Sequence, residues 1–410
     1  MARIAIAGYM IRHPLAGNLF AYFHYVLGLH RLGHEVCYLE ESGWPRSCYD
    51  PGRGDYGDDP AAGLRAVRAL FAEHGIEAPA CYVDRESGAV AGAAWEDVKR
   101  MLAASDLLVN VGGVSWLPEF RLARRRALID MDPLFTQVGR FARESLGEYH
   151  AHFSYGANIG RPGCSVPTCG IDWLPALPPV VPEAWRPAAG TVPAGATQNE
   201  APAAASPASA PFTTIANWSA YGSVTHAGER YGQKDEEFLR FLALPGRATR
   251  RLELALAAPG RGIGDRLRAA GWLVRDAGEV SASVPAYRAY IAGSRGEFSV
   301  AKHAYVKTRC GWFSDRSVTY LAAGRPVVIQ DTGFTDWLAP GPGILPFSTL
   351  DQAVECLERV DADYERHACG ALAAVEATFG YRCVLPPLIA AALGEAKAMR
   401  CGPLPGRSRS

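Results

Sequence analysis

The chain has no apolar run long enough to cross a bilayer, no excess of either charge and no dense cysteine framework. A membrane helix needs about 20 consecutive apolar residues. The apolar stretch from Met1 to Tyr9 is far shorter, and His13, Pro14 and Gly17 follow it without a small-residue cleavage signature. It reads as a first β-strand and not as a signal peptide, which makes a cytoplasmic location the expectation. The 42 Lys and Arg offset the 42 Asp and Glu. That balance argues against a general nucleic-acid or anionic-membrane binder and leaves only local patches, including peripheral membrane contact, open. The 10 cysteines are scattered, and Cys164 and Cys169 have no second pair or nearby histidine to complete a zinc site. No compact carboxylate signature calls for Mg²⁺, so no metal is expected.

What the chain does contain is a recurring alternation of short apolar strands and longer helical patterns. At 410 residues it exceeds the size at which one core usually keeps growing, so two domains are expected. Ile4 to Ala7 is a strand, Leu19 to Leu32 a helix stopped by Gly33, and Glu35 to Leu39 the next strand: a βαβ unit of a parallel sheet. Helices near Ala61 to Glu73 and Ala94 to Ala103 follow, then strands at Leu107 to Val111 and Ala127 to Met131. Phe135 to Glu144 reads as helix and Ala151 to Tyr155 as extended. From Ala188 to Pro211, 10 of 24 residues are alanine and 4 are proline. Such a stretch supplies little core and blocks regular ladders, so residues 184–211 read as a flexible linker or insertion between domains 1–183 and 212–385. After it the alternation resumes, with strands predicted at Thr213 to Ala216, Leu252 to Leu256, Trp272 to Arg275, Gly296 to Ser299 and Pro326 to Gln330. A final helix, Leu385 to Ala392, is placed to pack back on the first domain, with a disordered tail inside 386–410. The expected fold is α/β, two Rossmann-like domains facing across a cleft.

The most specific segment is Gly311 to Phe334, GWFSDRSVTYLAAGRPVVIQDTGF. It resembles the donor domain of GT-B glycosyltransferases, where a helix ending in Ala-Ala-Gly feeds a Pro-Val-Val strand and a cleft loop. His13-Pro14-Leu15-Ala16-Gly17-Asn18, with Leu32-Gly33-His34-Glu35-Val36 after the next helix, resembles the opening of the same fold. The resemblance implies a bacterial, nucleotide-sugar-dependent transferase that moves a sugar to a small-molecule, glycan or lipid-linked acceptor. A sugar-nucleotide epimerase and a catalytically silent nucleotide-sugar-binding protein are the alternatives, and both monomer and homodimer stay open. Retaining members often carry two glutamates eight positions apart here. Aligned on Ala-Ala-Gly, this chain has Gly311 and Thr319 instead, which leaves Asp315 or Ser317 as substitutes.

On that reading the loop Asp331, Thr332 and Gly333 approaches the donor sugar or diphosphate. Ser314 or Asp315 caps the following helix, whose free amides, with Arg316 as a clamp, suit a diphosphate. Arg295, Lys302, Lys307 and Arg309 are the candidate cations for the leaving group. Gly17 and Asn18 mark a turn that admits close approach of diphosphate or acceptor. In the first domain His13 and Asp132 are the candidate bases, since each follows a predicted strand; Asp132 alternatively orients a neighbour, and His13 satisfies a loop. His150 and His152 are weaker acceptor-side candidates. Trp218, Tyr221 and the Trp312-Phe313 pair either stack on a ligand or pack the core.

Overall fold

The computed structural model describes residues 1–139, 146–185, 209–257 and 260–395. Most of the proposed linker and the C-terminal tail lie outside the described residues, as does the end of the helix predicted to reach Glu144.

Two separate sheets account for the alternation seen in the sequence. The first runs, in spatial order, Trp173–Pro175, Ala151–Ser154, Arg126–Asp130, Leu107–Val111, Arg3–Ala7, Glu35–Ser42, Ala80–Asp84 and Val90–Ala91. All pair in parallel except the last, an antiparallel edge. The second runs Leu273–Asp276, Leu252–Ala257, Phe212–Asn217, Gly296–Ser299, Val327–Gln330 and Ile344–Phe347, all parallel. The strands at the middle of each sheet are apolar on both faces because helices cover both. Ile4, Ala5, Ile6 and Ala7 are all buried, with Ile4 in register with Val36 on one side and Leu107 on the other.

In both sheets the order reverses at the first strand of the domain. Its two neighbours are the second strand on one side and a later strand on the other: Glu35–Ser42 and Leu107–Val111 in one domain, Leu252–Ala257 and Gly296–Ser299 in the other. Chain connections leave such a switch point in opposite directions and open a crevice beyond the carboxyl ends of the strands, where ligands collect in open α/β sheets.

Contacts in several regions lock the domains together. The helix Tyr381–Leu393 returns to the helix Ala16–Arg31, where Gly28 permits the approach: a Cβ there would lie 2.5 Å from Leu385 Cδ1. Arg288 of the second domain pairs with Glu73 of the first at 2.5 Å. One apolar cluster joins Leu128 and Phe135 to Ala301, Ala304 and Tyr305.

His24 lies buried in the helix Ala16–Arg31, with Trp185 Nε1 at 3.0 Å from its Nε2 and the Val181 amide at 3.2 Å from its Nδ1. A protonated imidazole would set N–H against N–H at both positions. Burial, with the neighbouring His74 and Arg288, holds its pKa down at about 3. The native state therefore disfavours a proton that the unfolded chain takes up near pH 6.5. Stability from this residue is present above that pH and is lost progressively as pH falls toward 3. The melting temperature of the wild type should fall more steeply with acidification over that window than that of His24→Gln, as followed by circular dichroism.

Candidate functional site

The second domain's switch point gathers charge. After the strand Phe212–Asn217 the chain makes a hairpin, Val224–His226 with Glu229–Tyr231, and enters the short helix Lys234–Phe238 at Lys234 itself. Lys234 is recessed, and its ammonium has no hydrogen-bond or ion-pair partner among the described residues. Burial drives its pKa well down, and the Arg316 guanidinium adds to the effect against the opposing pull of Glu297. Arg316 is held in turn, by Glu297 Oε1 at 2.6 Å and by Ser299 Oγ at 3.0 Å. Glu297 is fully buried and its second oxygen has no partner.

The helix Asp315–Ala322 begins beside this cluster. Ser314 occupies its N-cap position without making a side-chain cap bond. Asp315 turns its carboxylate onto the first amides, and burial raises its pKa. The Ser317 hydroxyl is buried and unpartnered. Asp315 and Arg316 face Gly17 and Phe20 of the first domain across a narrow recess of about 10 Å³, and Gly17 leaves only 3.3 Å between a would-be Cβ and the Tyr287 hydroxyl. Glycine at 17 thus lets the first helix approach the second domain's wall.

The first domain contributes Asp132. Asp130, buried two residues before it, accepts bonds from Ser154, Thr136, Gln137 and the Asp132 amide, which pins the loop. The Asp132 carboxylate then reaches across the gap. Its oxygens lie 2.9 and 2.8 Å from Lys302 Nζ, and Tyr305 donates its hydroxyl to the same carboxylate. Lys302 also donates to Tyr221 Oη at 2.7 Å and lies over the rings of Tyr221 and Phe135.

Other sequence candidates have different surroundings. His13 is sandwiched between Tyr9 and Tyr56, with Nδ1 3.3 Å from the Tyr56 hydroxyl, and burial lowers its pKa so that the ring stays neutral. Asn18 spends its amide on the carbonyls of Tyr9 and His13 and shapes the loop. Arg295 stands at the opposite end of its strand from the cleft, bonded to Asp361 at 2.9 Å and stacked over Tyr364. It belongs to the back of the domain because residues preceding a parallel strand emerge at the edge away from the crevice. The same geometry removes His150, which precedes the strand Ala151–Ser154 and accepts from the Arg126 amide. His152 is bound to the Leu146 carbonyl at 2.6 Å and packs on Trp173.

Lys307 is tied to Glu229 at 2.7 Å, and Arg309 to Asp336 at 3.1 Å. In the loop Asp331–Gly333, Asp331 caps the turn through Gly333 and Thr335, and Thr332 bonds Trp312 O at 2.6 Å. Asn158 of the first domain is wedged against this loop, donating to Gly333 O at 2.9 Å and Arg309 O at 3.1 Å. Both Gly311 and Gly333 have positive φ and no room for a Cβ beside Asn158. Trp218 packs on Phe238 in the core, whereas Tyr221 is exposed and reaches Lys302. Lys234, Asn158, Glu297 and Tyr305 were not distinguishable in the sequence, where each is a single residue without a motif around it.

Among the described residues no three His, Cys, Asp or Glu side chains converge as a metal site, the nine cysteines are free, and no helix is long and apolar enough to cross a membrane.

No protein-family model matches the chain, and no curated protein matches it by sequence. Solved structures do match, over nearly its whole length. An alpha-glucosyltransferase in complex with UDP superposes with a TM-score of 0.56 at 9% identity, covering 96% of this chain and 100% of that one. Anabaena HepE in complex with UDP and glucose gives 0.51 at 10% identity, covering 97% and 100%. A glycosyltransferase involved in avilamycin A biosynthesis gives 0.50 at 15% identity, covering 97% and 99%. The fold is GT-B. In this GT-B chain the two switch points, with Lys234 and Lys302 on one side and Asp132 on the other, face each other across the interdomain cleft.

A recessed cation without a partner costs stability. Lys234→Met should therefore raise the free energy of unfolding by about 1 kcal/mol, read as a higher urea midpoint with an unchanged slope. A lower midpoint would mean that Lys234 is a structural residue.

Proposed function

We propose that the cleft binds a nucleoside-diphosphate sugar on the second domain and transfers the sugar to an acceptor hydroxyl presented by the first. The observation that carries this reading is Lys234, an unpartnered cation recessed at the second switch point beside Arg316, within a fold shared with structures that hold UDP. A recessed cation in a cleft without a hydrogen-bonded partner is a candidate for completion by a ligand of opposite charge.

In the reaction the bond between the anomeric carbon and the terminal phosphate oxygen breaks, and the carbon bonds the acceptor oxygen. Negative charge grows on the departing diphosphate. Lys234 and Lys302 are placed to stabilise it, together with the amides at the start of Asp315–Ala322 once Asp315 turns aside. The acceptor proton passes to a first-domain base. Asp132 and His13 are the two candidates, His13 with a neutral ring and Asp132 with a carboxylate already in the gap. Gly311 and Thr319 stand where retaining enzymes carry glutamates.

Calorimetric titration with UDP, GDP and dTDP tests this. At least one should bind saturably, and Lys234→Met should weaken it by at least about tenfold, or about 1.4 kcal/mol. Release of the nucleoside diphosphate from a cognate sugar donor should accelerate when acceptor is supplied. Folded protein that binds no nucleoside diphosphate or nucleotide sugar would overturn the assignment.

A further inference from the structure

The two cleft lysines are in opposite states, and the difference bears on how the donor site fills. Lys234 has no partner among the described residues, whereas Lys302 has all its donors in use. An ammonium carries three N–H groups. Three acceptors surround Lys302 Nζ: Asp132 Oδ1 at 2.9 Å, Asp132 Oδ2 at 2.8 Å and Tyr221 Oη at 2.7 Å. Lys302 cannot bond a phosphate oxygen in this arrangement without giving up one of them. Tyr221 is neutral and can remain; the charged competitor is Asp132.

We propose that Asp132 is the resident counter-ion of the donor site, holding Lys302 while the cleft is empty and surrendering it to the diphosphate of the incoming donor. The proposal rests on the function inferred above and specifies how that site is filled.

The carboxylate is built for exchange. Its backbone amide stays fixed to Asp130 at 2.8 Å, so leaving Lys302 takes a side-chain rotation that also releases the Tyr305 hydroxyl. The side chain is 31% exposed, against 18% for Lys302, so the displaced carboxylate turns toward water while the lysine stays recessed. A diphosphate carries more charge and more acceptor oxygens than one carboxylate and wins the shared cation. Lys302 also lies close enough to Lys234 to disfavour the Lys234 charge, which a dianionic ligand between them would relieve. Donor binding then uncovers Asp132 at the moment an acceptor proton needs a base, and donor should bind before acceptor.

A static tie between domains would use the same contacts but predicts the opposite sign. With the nucleoside diphosphate that binds wild type as the probe, exchange predicts that Asp132→Asn binds it about tenfold more tightly, because a competing anion is gone. Lys302→Met should bind it about tenfold more weakly, and adding Asp132→Asn to that variant should change affinity by less than about twofold. Asp132→Ala replaces the Asn variant if that fails to fold, with the same sign expected. Weaker or unchanged binding by a folded Asp132 variant overturns the exchange, as does a gain that persists without Lys302. If wild type binds no nucleoside diphosphate, the donor-site assignment itself falls and this inference with it. Binding that ignores Asp132 removes only the exchange.

Discussion

A parallel sheet forces every strand to run the same way, so each connection must return along a face and all carboxyl ends share one edge. The rest of this molecule follows from applying that constraint twice. Two sheets that reverse order at their first strand present two crevices, and the helix Tyr381–Leu393 and the shared apolar clusters hold those crevices toward each other. Residues distant in sequence, such as Asp132 and Lys302, thereby come within 2.8 Å.

The gap between the sheets carries cations whose partners differ in kind. Arg316 is neutralised by buried Glu297 and positions the wall. Lys302 is neutralised by a partly exposed carboxylate from the other domain. Lys234 has no hydrogen-bonded or ion-paired carboxylate among the described residues. Burying charge is costly unless it is paired, and on the function proposed above the cations with less complete partners are the ones a ligand would use. Arg295, Lys307 and Arg309 fall on the structural side, each with a carboxylate at 3.1 Å or less outside the lysine cluster.

The sequence exposed the elements better than their partners. The continuous apolar strands Ile4 to Ala7 and Val327 to Ile329 were legible because both faces of a parallel strand are buried. Ala80–Asp84 and Ile344–Phe347 were not anticipated, since a short apolar stretch without periodicity does not declare itself a strand. Asp132 and Lys302 were recognised singly, but nothing local to either indicated that they pair. Lys234 carried no signal, as a lone lysine near a turn ordinarily belongs to the surface.

The sequence by itself determined the two-domain α/β plan, the strand-helix rhythm and the GT-B resemblance around Ala322-Ala323-Gly324. These depend on local apolar patterning and on glycine and proline positions, which act within a few residues. Only the tertiary structure decided which charges are spent and which are open. A charge's state depends on burial and on partners far away in sequence, 170 residues for Lys302 and Asp132, and neither quantity is encoded in the residues beside it.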